Sequence, residues 1–242
     1  MIGQKNNLQI KQLPHFMILA GEKGSGRHTL SKELAKKFFL RYIEVPPTVE
    51  SVREVLINYI TNAVYVIDYN ALSTAAIQAL LKTCEEPLST THIIILTTAQ
   101  NAVVGALTSR AECIMDMEDY SKEELEEIAT QSGLQVPYIE FAKTPQDLFD
   151  FATVGNSLFE FAYFVADKFY VATFANRFKI QQKAVPLHVF FRILQQVLVK
   201  TACGDTDKLR LLCTTAQASS MLPTHAEQAV FDWWILTAGG EE

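Results

Sequence analysis

Gly21-Glu-Lys-Gly-Ser-Gly-Arg-His-Thr-Leu30, the stretch GEKGSGRHTL, comes after a short apolar run and before a helical pattern. It nearly satisfies G-x-x-x-x-G-K-[ST], the loop whose backbone N–H groups cradle phosphates. Gly21 and Gly26 stand where the pattern asks for glycine, and Gly24 adds a third. Arg27 then replaces the lysine and His28 replaces the magnesium-binding hydroxyl. Arginine keeps the charge, but its planar fork is bulkier than an ammonium and does not substitute for it freely. Imidazole offers magnesium no hard oxygen ligand. Thr29, one position later, still has a hydroxyl that reaches a phosphate if one binds. By itself the stretch reads equally as a glycine turn linking strand to helix.

Outward from the loop, strand and helix signals alternate. Phe16–Ala20 is an apolar run of strand length, and Thr29–Arg41 carries Leu30, Leu34, Phe38 and Leu40 near helical spacing, with lysines opposite. Those lysines read first as a solvated face, and a DNA-facing role is the minor alternative. Further strands are expected at Arg41–Val45, Ala63–Ile67, His92–Leu96 and Cys113–Met115, with helices at 49–60 and from a Ser73 cap to Glu85. Repeated strand–helix–strand units imply a parallel sheet covered on both faces, hence an α/β fold. From Tyr120 the strand signals fade. Ser121-Lys-Glu-Glu124 is a capping box, and helices are expected near 144–152, 157–175, 187–201, 208–219 and 225–238. This divides the chain at 1–118, 119–158 and 159–242.

Composition narrows the function classes. Hydrophobic residues make up 49% and charged residues 20%, as in a globular protein. The polar N-terminus lacks a signal region and the four cysteines form no C-x-x-C pair, which fits a cytoplasmic protein without a zinc knuckle. Net charge is −6: residues 1–118 balance 11 basic against 11 acidic groups, while the rest holds 10 against 16. A protein that grips DNA alone needs a basic surface, because phosphate neutralisation dominates that affinity. Any nucleic-acid role is therefore shared with partners.

Ala63-Val-Tyr-Val-Ile-Asp68 has the form of a Walker B strand delivering an acid beside the loop, yet Tyr69 follows where a hydrolytic glutamate is usual. Gln78-Ala-Leu-Leu-Lys-Thr-Cys-Glu-Glu-Pro87 closely resembles the "ALLKTLEEP" segment of the clamp-loader branch of the AAA+ family. Leu96-Thr-Thr98 is similar to its sensor 1 strand end, Thr108-Ser-Arg110 to its "SRC" motif, Pro14-His15 to its "PHA" entry, and Tyr120–Leu125 to the start of its lid. The resemblance spans residues 8–130. It departs from the pattern at Arg27, His28 and Tyr69, at Ala111 for the motif cysteine, in the absent zinc insert, and at Phe159 after a faint sensor 2 segment, Gly155-Asn-Ser-Leu158.

The resemblance implies an AAA+ α/β domain, a helical lid and a helical collar. It also implies association with gamma/tau-like and delta-like subunits, and through them with the sliding clamp and primer-template DNA. A spoiled site of its own beside a retained Ser109-Arg110 is similar to the delta-prime type of subunit, which does not hydrolyse ATP and lends an arginine to its neighbour. On that reading Arg110 acts in trans. Gly21, Gly24, Gly26, Arg27, Thr29, Asp68 and Thr98 then outline a vestigial nucleotide site, with no cofactor or metal expected. Two alternatives stay open: a working ATPase using Arg27 and Thr29, and a purely structural remnant. Glu85-Glu86, Trp233-Trp234 and the aromatics of 159–174 read as surface turn and core packing, not as catalytic acids or base-stacking groups.

Overall fold

In the computed structural model, residues 3–4, 9–57, 62–85, 91–99, 102–136, 138–169, 186–222 and 225–239 are described. The chain divides into two compact units: Met1–Ile128 with Lys143–Gln146, and Ala129–Ala142 with Asp147–Glu242.

The first unit is built on five strands, β1 (Phe16–Ala20), β2 (Arg41–Glu44), β3 (Ala63–Asp68), β4 (Thr91–Thr97) and β5 (Cys113–Asp116). Their order is β2-β3-β4-β1-β5, and every pairing is parallel. Parallel neighbours need crossovers, supplied by α1 (Arg27–Lys37), α2 (Val49–Ile57), α3 (Thr74–Glu85) and α4 (Gly105–Thr108). The central strands are apolar on both sides because both faces are covered. Phe16, Ile18, Tyr65, Ile67, Ile93 and Ile95 join one core with Val52, Ala76, Leu80 and Leu107 from the helices. The residues between them, such as Met17, Leu19, Val64, Val66 and Ile94, join Leu30 and Leu34 of α1 on the other face. Each fully buried Leu, Ile or Phe contributes ~1.5–3 kcal/mol relative to exposure, so a charge at Ile94 would break the sheet at its centre.

Helix ends follow local chemistry. Ser73 Oγ accepts from Ala76 N–H at 3.3 Å and starts α3. The residues after Glu85, including Glu86 and Pro87, lie outside the described ones. α1 starts at Arg27, two residues before the expected Thr29, because Gly26 is already left-handed at φ 90° and turns the chain straight into the helix. It stops at Lys37, not Arg41. Phe39 takes φ +56°, its N–H donates to Lys36 at 3.1 Å, and Leu40 N–H donates to Ala35 at 2.8 Å. That pair of bonds is the Schellman ending, usually built on glycine. The capping box opens α5 (Lys122–Gln131) as expected: Glu124 N–H donates to Ser121 Oγ at 3.2 Å and Ser121 N–H to Glu124 Oε2 at 2.9 Å.

The second unit is helical. It contains α6 (Pro145–Lys168) from Asp147 onward, α7 (Leu187–Thr201), α8 (Thr206–Met221) and α9 (Glu227–Gly239). The two helices expected at 144–152 and 157–175 meet in α6 across a kink at Gly155, whose φ of 66° breaks the helical run. The expected continuation over 170–175 lies outside the described residues. α7 buries Phe190, Phe191, Ile193, Leu194, Val197 and Leu198, a stripe at helical spacing. Trp234 is fully buried against Phe169, Phe190, Phe191 and Phe231, and its indole N–H donates to Thr215 Oγ1 at 3.0 Å. Trp233 packs partly buried beside this core. Asp147, fully buried, is paired with Arg192 at 2.6 Å. Breaking such a pair from one side leaves an uncompensated charge.

Candidate functional site

The carboxyl ends of the strands come together in register. Ala20 of β1 lies beside Thr97 of β4 and Asp116 of β5, while Asp68 of β3 lies beside Leu96. In an open parallel sheet, the crevice at these ends is where ligands bind. Gly21 leaves β1 there, its N–H donating to Thr97 at 3.0 Å. The turn runs through Ser25, whose N–H donates to Glu22 at 3.1 Å, and the chain enters α1. No side chain caps α1 and no acid sits in its first turn. Free N–H groups and the positive dipole end are therefore left toward the loop, the requirement for an anion site.

The rest of the loop is occupied by the protein itself. Tyr120 Oη donates to the Ser25 carbonyl at 2.9 Å, and Gln146 N–H donates to the Gly24 carbonyl at 3.4 Å. A Cβ at Gly24 would stand 2.5 Å from Gln146 Cβ and 3.0 Å from Thr144 Oγ1. The glycine is needed for that approach and for its φ of +88°. Tyr120, Thr144 and Gln146 were not singled out from sequence for this contact, since no local pattern announces it.

Arg27 is the decisive side chain. Only 8% of the residue is exposed, and its Nη1 has no hydrogen-bond partner. Burial pulls the pKa of the guanidinium down, and the Asp68 carboxylate partly offsets this. Asp68 is itself engaged. Its Oδ1 accepts from Asn70 N–H at 3.1 Å and from Asn70 Nδ2 at 3.4 Å, capping a short 3₁₀ turn over Tyr69–Ala71. Thr98 Oγ1 donates to Asn70 Oδ1 at 3.4 Å. Arg27, Asp68 and Thr98 are thus assembled around the strand ends, with Asn70 as a link the sequence reading missed.

Three positions point elsewhere. His28 leaves the loop for the β2 side, with Nδ1 3.4 Å from Tyr42 Oη and 3.9 Å from Glu44. Burial, with Glu44 adding to it, pushes the Tyr42 phenol up to about 12. Thr29 is exposed in the first turn of α1. Tyr69 is buried in the core, and its Oη accepts from Val104 N–H at 3.2 Å, at the start of α4. The side chain that replaces the usual glutamate therefore faces the interior.

Arg110 sits at the other end of the sheet. It follows α4 and precedes β5, whereas the glycine loop follows β1, the neighbouring parallel strand. The rise of β5 alone separates these ends by about 10 Å. Arg110 is exposed, and its Nη1 donates to the Ala106 carbonyl at 2.6 Å. Its charge reaches α3: burial pushes the Cys84 thiol up to about 12, and Arg110 acts against that shift. Among the described residues, no group of three or more His, Cys, Asp and Glu is placed to hold a metal. No described helix is long and apolar enough to cross a membrane.

No protein-family model matches the sequence, and no curated protein sequence matches it. Solved structures do match. A DNA polymerase III gamma subunit-related protein from Thermotoga maritima aligns over 95% of this chain and 95% of its own, with 13% identity and a TM-score of 0.56. The Thermotoga maritima RuvB Holliday junction branch migration motor aligns over 56% of this chain and 53% of its own, with 20% identity and a TM-score of 0.48. The chain thus spans about half the length of the RuvB structures it matches. At 13% identity the first likeness speaks to fold alone: a parallel α/β sheet with flanking helices, continued by helices.

Proposed function

We propose that this AAA+-fold chain is a clamp-loader subunit of the delta-prime type, which does not cleave ATP itself and presents Arg110 to the nucleotide of an adjacent ATPase subunit. The observation that carries the reading is the separation of the two arginines. Arg27 is buried and faces Asp68, while Arg110 is exposed at the opposite end of the sheet. Phosphoryl transfer depends on positioning and charge neutralisation. The loop lacks both the lysine and the magnesium-binding hydroxyl, and Tyr69, turned into the core, cannot orient a water. An exposed arginine beyond the reach of its own loop is accessible to another molecule. The likeness to a DNA polymerase III gamma subunit-related protein supports the clamp-loader setting.

On this reading residues 1–118 are the nucleotide-fold part, 119–158 the lid and 159–242 the collar. The partners are gamma/tau-like and delta-like subunits, with the sliding clamp and primer-template DNA reached through them, in the cytoplasm. The test is reconstitution with those subunits. Arg110→Ala should assemble normally yet lower clamp- and DNA-stimulated ATP turnover, and the isolated wild-type chain should not hydrolyse ATP. Brisk magnesium-dependent hydrolysis by the isolated chain, abolished by Asp68→Ala, would instead establish a working ATPase that uses Arg27 and Thr29.

A further inference from the structure

Phe39 is the most exposed large apolar side chain among the described residues, at 93%, and it occupies a left-handed position that favours glycine. Folding gains nothing from either property. The neighbours on each side, Phe38 and Leu40, pack partly buried with Ile10 against the α1 face of the sheet, so the turn is anchored and Phe39 alone is turned outward. Lys37 ties the turn down further, with Nζ donating to the Ile10 carbonyl at 2.6 Å and lying over the Phe38 ring. The surroundings are basic in an otherwise acidic chain. Lys36, Lys37 and Arg41 are exposed next to Phe39 in sequence, and the Lys37–Ile10 bond brings in Lys11. Among the described residues, the carboxylate of Glu33 is held by Lys36 at 2.8 Å.

The geometry points to a docking surface on the turn between α1 and β2, with Phe39 as anchor, for a protein partner presenting an apolar pocket rimmed by carboxylates. Interfaces concentrate their energy in a central aromatic surrounded by polar groups, and a basic rim selects an acidic counterpart. Single-stranded nucleic acid is the weaker fit. Stacking platforms use successive aromatics along a basic groove, whereas here there is one outward ring, two of the four cations are already bonded within the fold, and the chain carries −6 overall. The surface is distinct from the Arg110 turn. β2 and β5 are opposite edges of the sheet, four strand spacings or about 19 Å apart. It therefore stands whether or not Arg110 serves an ATPase.

The test places the photo-crosslinker p-benzoylphenylalanine at position 39 of the full chain, irradiates the producing cells and maps the adduct by mass spectrometry. Replacing a side chain this exposed leaves the core untouched. The expected adduct is a protein, joined at an apolar residue with carboxylates around it. Its yield should fall at least tenfold when Lys11→Glu and Arg41→Glu are added, two cations whose side chains hold none of the bonds above. It should be unchanged by Arg110→Ala. A nuclease-sensitive adduct, an adduct on a neutral or basic segment, a yield indifferent to charge reversal, or no adduct from a normally folded chain each overturns the proposal.

Discussion

The two ends of the parallel sheet treat their polar and aromatic side chains in opposite ways. At the carboxyl end, where open parallel sheets bind ligands, Arg27 is buried and Asp68 caps a turn, while Tyr69 next to it faces the core. At the amino end, Arg110 and Phe39 stand in solvent at opposite edges. One end has been turned over to folding, and the other exposes an arginine and an aromatic ring to solvent. The link between them is Tyr69, which holds Val104 at the start of the short helix leading to Arg110. The residue that follows Asp68 thus also braces the turn that carries the exposed arginine.

The contrast breaks most visibly at Arg110. An arginine supplied to a transferring phosphoryl group contributes on the order of 10³–10⁵ in rate. Arg110→Ala should therefore cost the facing subunit at least ~10³-fold in single-turnover hydrolysis, with assembly unchanged by gel filtration. Retained hydrolysis at every site would remove the distinction between the ends. Next in size is Tyr69→Phe, which strips the acceptor from Val104 N–H. Losing one hydrogen bond of this kind costs ~0.5–1.5 kcal/mol, to be read as a lowered urea midpoint. The same variant should weaken the Arg110 effect on turnover, because the turn loses its brace.

A smaller change, of opposite sign, is expected at Phe39. Glycine at the left-handed position removes a penalty of ~1–2 kcal/mol, part of which is returned through the greater freedom of the unfolded chain. Phe39→Gly should raise the melting temperature while abolishing docking; a lowered one would mean the ring serves the fold. The smallest effect is a slope with pH. The Cys84 thiol is raised to about 12 from the ordinary thiol value of 9.0, so its contribution is complete below pH 9 and is lost as pH rises toward 12. Stability should fall over that window and fall less in Cys84→Ala. Because Arg110 acts against the shift, Arg110→Ala should leave the onset of the loss unchanged and extend it to higher pH.

The central strands were legible because a strand buried on both faces must be apolar throughout, as Phe16–Ala20 and Ala63–Ile67 are. The capping box at Ser121 was legible because both its bonds are local. The end of α1 was not. Nothing in Lys37-Phe-Phe-Leu-Arg41 advertises a left-handed residue, since glycine, the usual signal, is missing. Gly155 did carry that signal, and the gap expected between two helices there became a kink. At the site, the missing lysine and hydroxyl were plain from the letters alone. The inward turn of Tyr69 and the closure of the loop by Tyr120 and Gln146 were not, because they join residues 35, 95 and 122 positions apart.

Both tryptophans of the chain, Trp233 and Trp234, belong to α9, and the α/β unit has none. With Trp234 sealed among phenylalanines and its indole bonded to Thr215, selectively excited tryptophan emission reports on the helical unit. Tryptophan emission thus reads the surroundings of α9, whereas ellipticity reads both units. A chain with both indoles on one helix therefore lets that helix's surroundings be followed through unfolding with no label attached.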